Sequence, residues 1–166
     1  MSSAPYRVAP LDSGQERTTF VSDSETLNRY FQQQVTQDVR RRVAACFVAL
    51  DGEQCVAGYY TLAATSVLLA ELPDVTAKKL PRYPSVPAIR MGRLAVDQAF
   101  KGQGLGGALL ADALERAARS EIAAFACVVD AKDETAAGFY ANHGFIALPD
   151  TPLTLFLPLA TVRGLI

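Results

Sequence analysis

Lys101-Gly102-Gln103-Gly104-Leu105-Gly106-Gly107 is the stretch on which the fold turns. It places four glycines in six positions, between an apolar run ending at Val96 and a helical pattern. Glycine lets backbone approach a ligand closely, and a helix N-terminus offers unpaired N–H groups with a partial positive charge. Together these suit a pyrophosphate, and Lys101 adds a formal cation at the rim. Three phosphate-binding patterns compete for the segment. Gly102, Gly104 and Gly107 match G-x-G-x-x-G, with Asp130 as the ribose-binding acid. A dinucleotide turn follows its strand directly, however, whereas Asp97 to Lys101 intervene here. Only 59 residues remain after Gly107, too few for a doubly wound fold. The Walker A pattern fails because no Gly-Lys-Ser/Thr follows. What remains is a diphosphate turn of another kind.

Outward from this turn, the chain reads as alternating strands and helices. Upstream, Tyr6–Leu11 suits a short strand, and Ser22-Asp23-Ser24-Glu25 supplies cap chemistry for a helix through Leu27, Tyr30 and Phe31. A second helical stretch runs to Arg40-Arg41-Arg42. Cys46–Leu50 and Cys55–Leu62 read as a hairpin about Asp51-Gly52. Four prolines between Glu71 and Pro87 predict a loop with at most a short helix, and Ala88–Val96 a strand. Downstream, Leu105, Leu109, Ala113, Leu114 and Ala117 share a helix face. Ile122–Val129 is apolar enough for a strand buried on both sides. Asp133–His143 reads as a helix stopped by Gly144, and Phe145–Leu148 and Leu153–Leu157 as the last strands. The expectation is one α/β domain over residues 1–166, a mixed sheet with helices on its faces.

Composition bounds the function. With 166 residues, half of them hydrophobic, and a net charge of −1, nothing global points to nucleic acid. No signal peptide or run of about 18 apolar residues appears, so no membrane association and a cytoplasmic location are expected. Cys46, Cys55 and Cys127 lack metal-ligand spacing and read as small buried hydrophobes. His143 reads as a cap on a helix end. The basic side chains available to an RNA are Arg40, Arg41, Arg42, Lys78, Lys79, Arg82, Arg90 and Arg93.

The turn from Lys101 to Gly106 resembles the GNAT phosphate-binding pattern Arg/Gln-x-x-Gly-x-Gly/Ala, with lysine in first place. Leu94-Ala95-Val96-Asp97 looks like that family's fourth strand. Asp133-Glu134-Thr135-Ala136-Ala137-Gly138-Phe139-Tyr140, followed by Gly144-Phe145, resembles its Asn-x-x-Ala-x-x-x-Tyr helix, with aspartate replacing asparagine. Leu27–Phe31, Gly58–Leu62, Gly92–Asp97 and Val129–Glu134 further resemble the GNAT-type toxins of toxin–antitoxin pairs.

The resemblance implies a GNAT-like, mostly antiparallel sheet of six to seven strands with helices on both faces, and acetyl-CoA as the acyl donor. It implies cofactor contacts from Leu94, Ala95, Val96, Lys101, Gly102, Gln103, Gly104, Leu105, Gly106, Gly107, Asp133 and Phe139, with a backbone N–H near Val96 on the acyl carbonyl. It makes Tyr140 the general acid. A phenol of pKa about 10 protonates a thiolate of pKa about 8.5 at small cost. The toxin resemblance implies an aminoacyl-tRNA acceptor and a ribbon-helix-helix antitoxin. The residues themselves lean the same way, because an α-amine near pKa 7.7 needs less of a base than a lysine near 10.4. Arg90 and Arg93 stand before the acetyl site with no carboxylate among them, which favours an anionic substrate, while Glu53, Glu71 or a water chain stays open as the base. The apolar tail Leu153–Ile166 suggests a surface for a second copy or an antitoxin. A metabolic enzyme acetylating a small amine or a protein N-terminus, and a non-catalytic CoA-binding module, are the alternatives.

Overall fold

Strands and helices follow one another along the chain, with side-chain caps where Ser24 and Asp133 stand before their helices. The structure, a computed structural model, describes residues 6–163. Arg7–Pro10 forms β1, antiparallel to β2 (Ala45–Leu50). Between them, Ser24 caps α1 (Glu25–Gln33) by accepting from Leu27 N–H at 3.2 Å, and α2 (Val35–Arg40) follows. β2 pairs antiparallel with β3 (Val56–Leu68). In their connection Asp51 Oδ1 accepts from the N–H groups of Glu53 and Cys55 at 2.9 and 2.8 Å. The left-handed position there is Gln54, at φ 66°, rather than Gly52, so the loop is longer than an Asp-Gly turn.

β3 runs six residues beyond its expected end at Leu62. After the four-residue α3 (Asp74–Ala77), β4 (Ser85–Val96) starts three residues earlier than expected. Pro87 is exposed within it and accepts from Phe125 N–H at 2.8 Å. A strand accommodates proline where no ladder donor is required. α4 (Leu105–Arg119) leads to β5 (Ala126–Asp130). The apolar residues before β5 are connection rather than strand, and Ile122 is 80% exposed. An apolar run alone does not separate a strand from the segment feeding it. α5 (Glu134–Asn142), β6 (Ile146–Ala147), β7 (Thr154–Pro158) and α6 (Leu159–Arg163) complete the chain.

The seven strands are ordered β1-β2-β3-β4-β5-β7-β6, in a mostly antiparallel sheet. β4 and β5 pair in parallel over Ala88–Met91 only. The chain clusters into two compact units. One comprises the chain through Ala63 together with Gly92–Ala113; the other holds Ala64–Met91 and the chain from Leu114 onward.

The first unit is built on an aromatic stack. Phe31 lies parallel to Tyr59 at 4.3 Å between ring centres, and Phe20 meets both edge-on. Tyr30, Val35, Cys46, Val48, Leu50, Val56 and Ala95 complete that core. The Tyr59 hydroxyl donates to the Leu27 carbonyl at 2.8 Å, which satisfies the polar end of a fully buried ring. The core of the second unit contains Val67, Leu72, Val86, Ala88, Ala126, Val128, Leu148 and Phe156. Leu155, Phe156, Leu157, Leu159 and Val162 are buried. The apolar tail expected to face a partner is therefore largely consumed by this chain, and its last three residues lie outside the described ones. Of the cysteines, Cys46 and Cys127 are buried as expected, while Cys55 is exposed one residue before β3 begins. Among the described residues no helix is long and apolar enough to cross a membrane, and no three side chains are placed to hold a metal.

Candidate acetyl-donor and acceptor site

The glycine turn is placed by contacts within the first unit. β3 passes so close to β4 that a β-carbon on Gly58 would sit 2.9 Å from the Ala95 carbonyl oxygen and 2.8 Å from Leu109 Cδ1 of α4. Only glycine fits there, and the sequence pattern alone did not single it out for this reason. Beyond β4, Asp97 Oδ1 accepts from Ala99 N–H at 2.8 Å and Oδ2 from Val21 N–H at 2.9 Å. Gln98 N–H donates to the Val21 carbonyl at 2.8 Å. Asp97 thus caps the 3-10 turn Gln98–Phe100 and ties the approach to the turn onto the segment before α1.

Gly102 and Gly104 then take φ of 78° and 76°, the left-handed region that glycine enters without strain. A β-carbon at either would meet nothing within 4 Å, so open space stands beside the backbone. At the start of α4, Ala108 N–H donates to the Gly104 carbonyl at 3.1 Å. The N–H groups of Leu105, Gly106 and Gly107 precede it and have no helical acceptor. The first turn of α4 carries no acidic side chain to compete for them. This arrangement fits a diphosphate held by backbone donors. Lys101, expected to add charge, is instead ion-paired with Asp23, and Gln103 accepts from the Tyr6 hydroxyl. The anion-binding capacity of the turn therefore rests on amides and the helix dipole.

Of the β4 residues expected to line the donor, Ala95 is buried and Leu94 and Val96 are half-buried. Asp97 N–H donates to the Ala57 carbonyl of β3 at 2.8 Å. Successive N–H groups of an extended chain point to opposite edges, so the Val96 N–H points away from β3. An N–H so directed is not taken up by β3.

Arg90 and Arg93 are treated differently by the fold. Arg90 is ion-paired with Asp130, whose other oxygen accepts from Thr154 Oγ1 at 2.9 Å. Arg93 lies over the Tyr30 ring, its guanidinium carbon 3.6 Å from the ring centre. Arg40, Arg41 and Arg42 of the first unit, and Lys78, Lys79 and Arg82 of the second, are exposed.

α5 belongs to the second unit. Asp133 caps it, accepting from Ala136 N–H at 2.8 Å, which gives the residue a structural task where a cofactor contact was expected. At the other end Phe145 N–H bonds the Tyr140 carbonyl at 3.2 Å and Gly144 N–H the Ala141 carbonyl at 3.0 Å. With Gly144 at φ 95°, this is a Schellman cap. Phe145 packs edge-on against Tyr140 with 5.6 Å between ring centres, and Phe139 does so at 5.2 Å. The Gly-Phe pair thereby fixes the tyrosine's helix end and its ring. Tyr140 is only 8% exposed, and burial, with a smaller contribution from Cys127, pushes its phenol up to about 12. It is protonated throughout the neutral range, the state an acid requires. His143 Nδ1 lies 2.8 Å from the Phe139 carbonyl oxygen, in the capping role expected of it.

The acetyltransferase (GNAT) domain family matches residues 42–147. A tRNA-acetylating toxin of Mycobacterium tuberculosis is 35% identical over 167 residues, covering 99% of this chain and 96% of its own. The structure of AtaT complexed with acetyl-methionyl-tRNAfMet superposes with a TM-score of 0.89 at 28% identity, over 96% of this chain and 98% of that one. AtaTR bound with AcCoA gives 0.83 at 27% identity, over 97% and 98%. The family match spans the hairpin, the glycine turn and the capped α5, and with a relative this similar over nearly its whole length, the chain belongs to the GNAT family of acetyltransferases.

Proposed function

We propose that this chain, acting as one domain, transfers acetyl from acetyl-CoA to the α-amine of an aminoacyl-tRNA and so arrests translation. The observation that carries the reading is the turn at Gly102 and Gly104, with its positive φ angles and open flank at the start of α4. It supports a diphosphate seat made of backbone N–H groups. Acetyl-CoA supplies an activated thioester. The Val96 N–H would donate to the acyl oxygen; Tyr140 would give its proton to the leaving sulfur and recover one from the proton that the amine nitrogen sheds as the amide forms, directly or through water. Such a positioned acid contributes about a hundred- to ten-thousandfold in rate. The acceptor is supported by the similarity to the M. tuberculosis tRNA-acetylating toxin and to AtaT with acetyl-methionyl-tRNAfMet. An α-amine near pKa 7.7 is largely neutral just above that pH, so the site needs no strong base.

The same reading includes an antitoxin partner with a ribbon-helix-helix domain, and a homodimer. Both are tested by co-purification with the product of a neighbouring small gene and by the mass of the assembly in solution.

The central experiment follows isotope-labelled acetyl from acetyl-CoA onto a charged tRNA pool. Label is expected on aminoacyl-tRNA, with Tyr140→Phe lowering kcat by at least about a hundredfold while leaving CoA binding intact. Label on small amines alone selects a metabolic enzyme. CoA binding with no thiol release on any amine selects a non-catalytic module.

A further inference from the structure

Arg93 stands on β4 three residues before Val96, about 10 Å along the strand. It is half-buried, and its guanidinium is stacked on the face of Tyr30, a ring only 8% exposed. The Tyr30 hydroxyl donates to Asp38 Oδ2 at 2.8 Å, while Gln34 Nε2 donates to Oδ1 at 3.1 Å. Both oxygens of Asp38 are thus engaged. Its carboxyl is held low by the Gln34 amide and then the Tyr30 hydroxyl, with the charges of Arg93 and Arg41 adding to them. One carboxylate therefore faces two guanidinium groups. Among the described residues neither Arg93 nor Arg41 closes an ion pair, so the cluster carries a surplus positive charge.

Stacking on an aromatic face leaves a guanidinium's N–H edge free, in a rigid planar fork that matches two phosphate oxygens. Arg90 lacks this freedom, since Asp130 already neutralises it. We infer that Arg93, carried on the Tyr30 platform, takes the phosphodiester next to the charged 3′ end of the acceptor RNA. Arg90 does not. The inference rests on the acceptor reading above and assigns one substrate group to one side chain. Ribose and ester separate that phosphate from the α-amine, a span comparable to the distance from Arg93 to Val96. Tyr30 and Asp38 are positioning residues. They hold the arginine and do not touch the reacting atoms.

The test compares two acceptors, charged tRNA and an aminoacyl-adenosine without phosphate, across a salt series. The wild type is expected to prefer the tRNA, and Arg93→Gln to reduce that preference, as a ratio of KM values, by about ten- to a hundredfold. The dependence of log KM on log salt for tRNA should become shallower by about 0.7, the value for one phosphate contact to a single strand. Arg93→Lys, which keeps the charge without the fork, should retain the salt slope and lose part of the preference; it also guards against a folding artefact in the glutamine variant. An equal rise in KM for both acceptors with an unchanged slope makes Arg93 a structural residue and overturns the inference. A larger loss of preference from Arg90→Gln overturns it too. A wild type that acetylates neither acceptor removes the acceptor reading, and this assignment with it.

Discussion

Replacing Gly104 by alanine separates the turn's conformational role from its ligand-binding role. Gly104 sits at φ 76°, where an L-residue costs roughly 1–2 kcal/mol. Its new methyl would touch nothing within 4 Å, so no steric term is added in the free protein. The expected cost is therefore backbone strain alone, about 1 kcal/mol after the reduced entropy of the unfolded chain is credited. For a chain of this length that lowers Tm by about 2–4 °C. The open flank has the opposite meaning once a diphosphate occupies it. The methyl then takes up space beside the turn that the diphosphate would fill, and displacing the ligand lengthens at least one hydrogen bond to a charged oxygen. Such bonds contribute about 1.5–3 kcal/mol, so CoA affinity should fall by roughly ten- to a hundredfold. Titration calorimetry with CoA and with acetyl-pantetheine, which lacks the diphosphate, measures this. The loss is expected for CoA and absent for acetyl-pantetheine. Unchanged CoA affinity in a folded Gly104→Ala variant would refute the seat, because a diphosphate filling the open flank of Gly104 cannot be indifferent to a methyl placed there.

Gly58→Ala acts by collision instead. Leu109 can rotate away from a contact at 2.8 Å, but the Ala95 carbonyl at 2.9 Å moves only if β4 moves. Overpacking of this kind costs about 1–3 kcal/mol, and the KM for acetyl-CoA should rise as β4 shifts; an unaltered melting temperature would show that the strands yield freely. Alkaline pH should destabilise the fold. Burial raises Cys46 and Cys127 from 9.0 to about 12, and Tyr140 from 10.0 to about 12. Folded-state values above the unfolded ones mean stability is whole below about pH 9 and is lost as pH rises toward 12. Each group contributes up to about 1.4 kcal/mol per pH unit in that window. Urea midpoints at pH 7, 9 and 10.5 should fall in that order, and a flat series would contradict the burial of these groups.

Much of this was legible because local chemistry dictates it. Ser24, Asp133 and Gly144 announce helix ends through their own hydrogen bonds and φ angles, and these depend on a few adjacent residues. The glycine turn was equally visible, since four glycines have few other uses. What escaped depends on residues far apart in sequence. Nothing in Lys101 reveals that Asp23 neutralises it, and nothing in Arg93 reveals the ring of Tyr30 beneath it. Gly58 lies in a strand former's run, and its necessity appears only when Ala95 and Leu109 come against it. The extents of β3 and β5 depart from the sequence pattern for a related reason. Strand length is set by the neighbour it pairs with, and the apolar residues of 122–125 have no ladder partner among the register pairs of β5.

The pairing of Lys101 with Asp23 bears on how the donor is recognised. A mobile lysine would attract any phosphate, whereas amides at fixed φ select by direction, because each N–H points where the backbone sends it. That selectivity requires a rigid turn. Asp97 supplies part of the rigidity by holding Val21 and Ala99 at once, and the Gly58 contact supplies the rest by pressing β3 against β4 and α4. Tyr140 follows the same logic in the second unit, where its hydroxyl depends on a Schellman cap and two flanking rings rather than on a charged partner. Burial makes this phenol a weaker acid than free tyrosine, yet a desolvated thiolate is a stronger base by the same physics, so the proton transfer is not penalised in proportion. The chemistry proposed for this chain thus depends on orientation more than on charge. Substitutions that preserve charge but loosen the turn or the cap should therefore impair it more than those that remove Lys101.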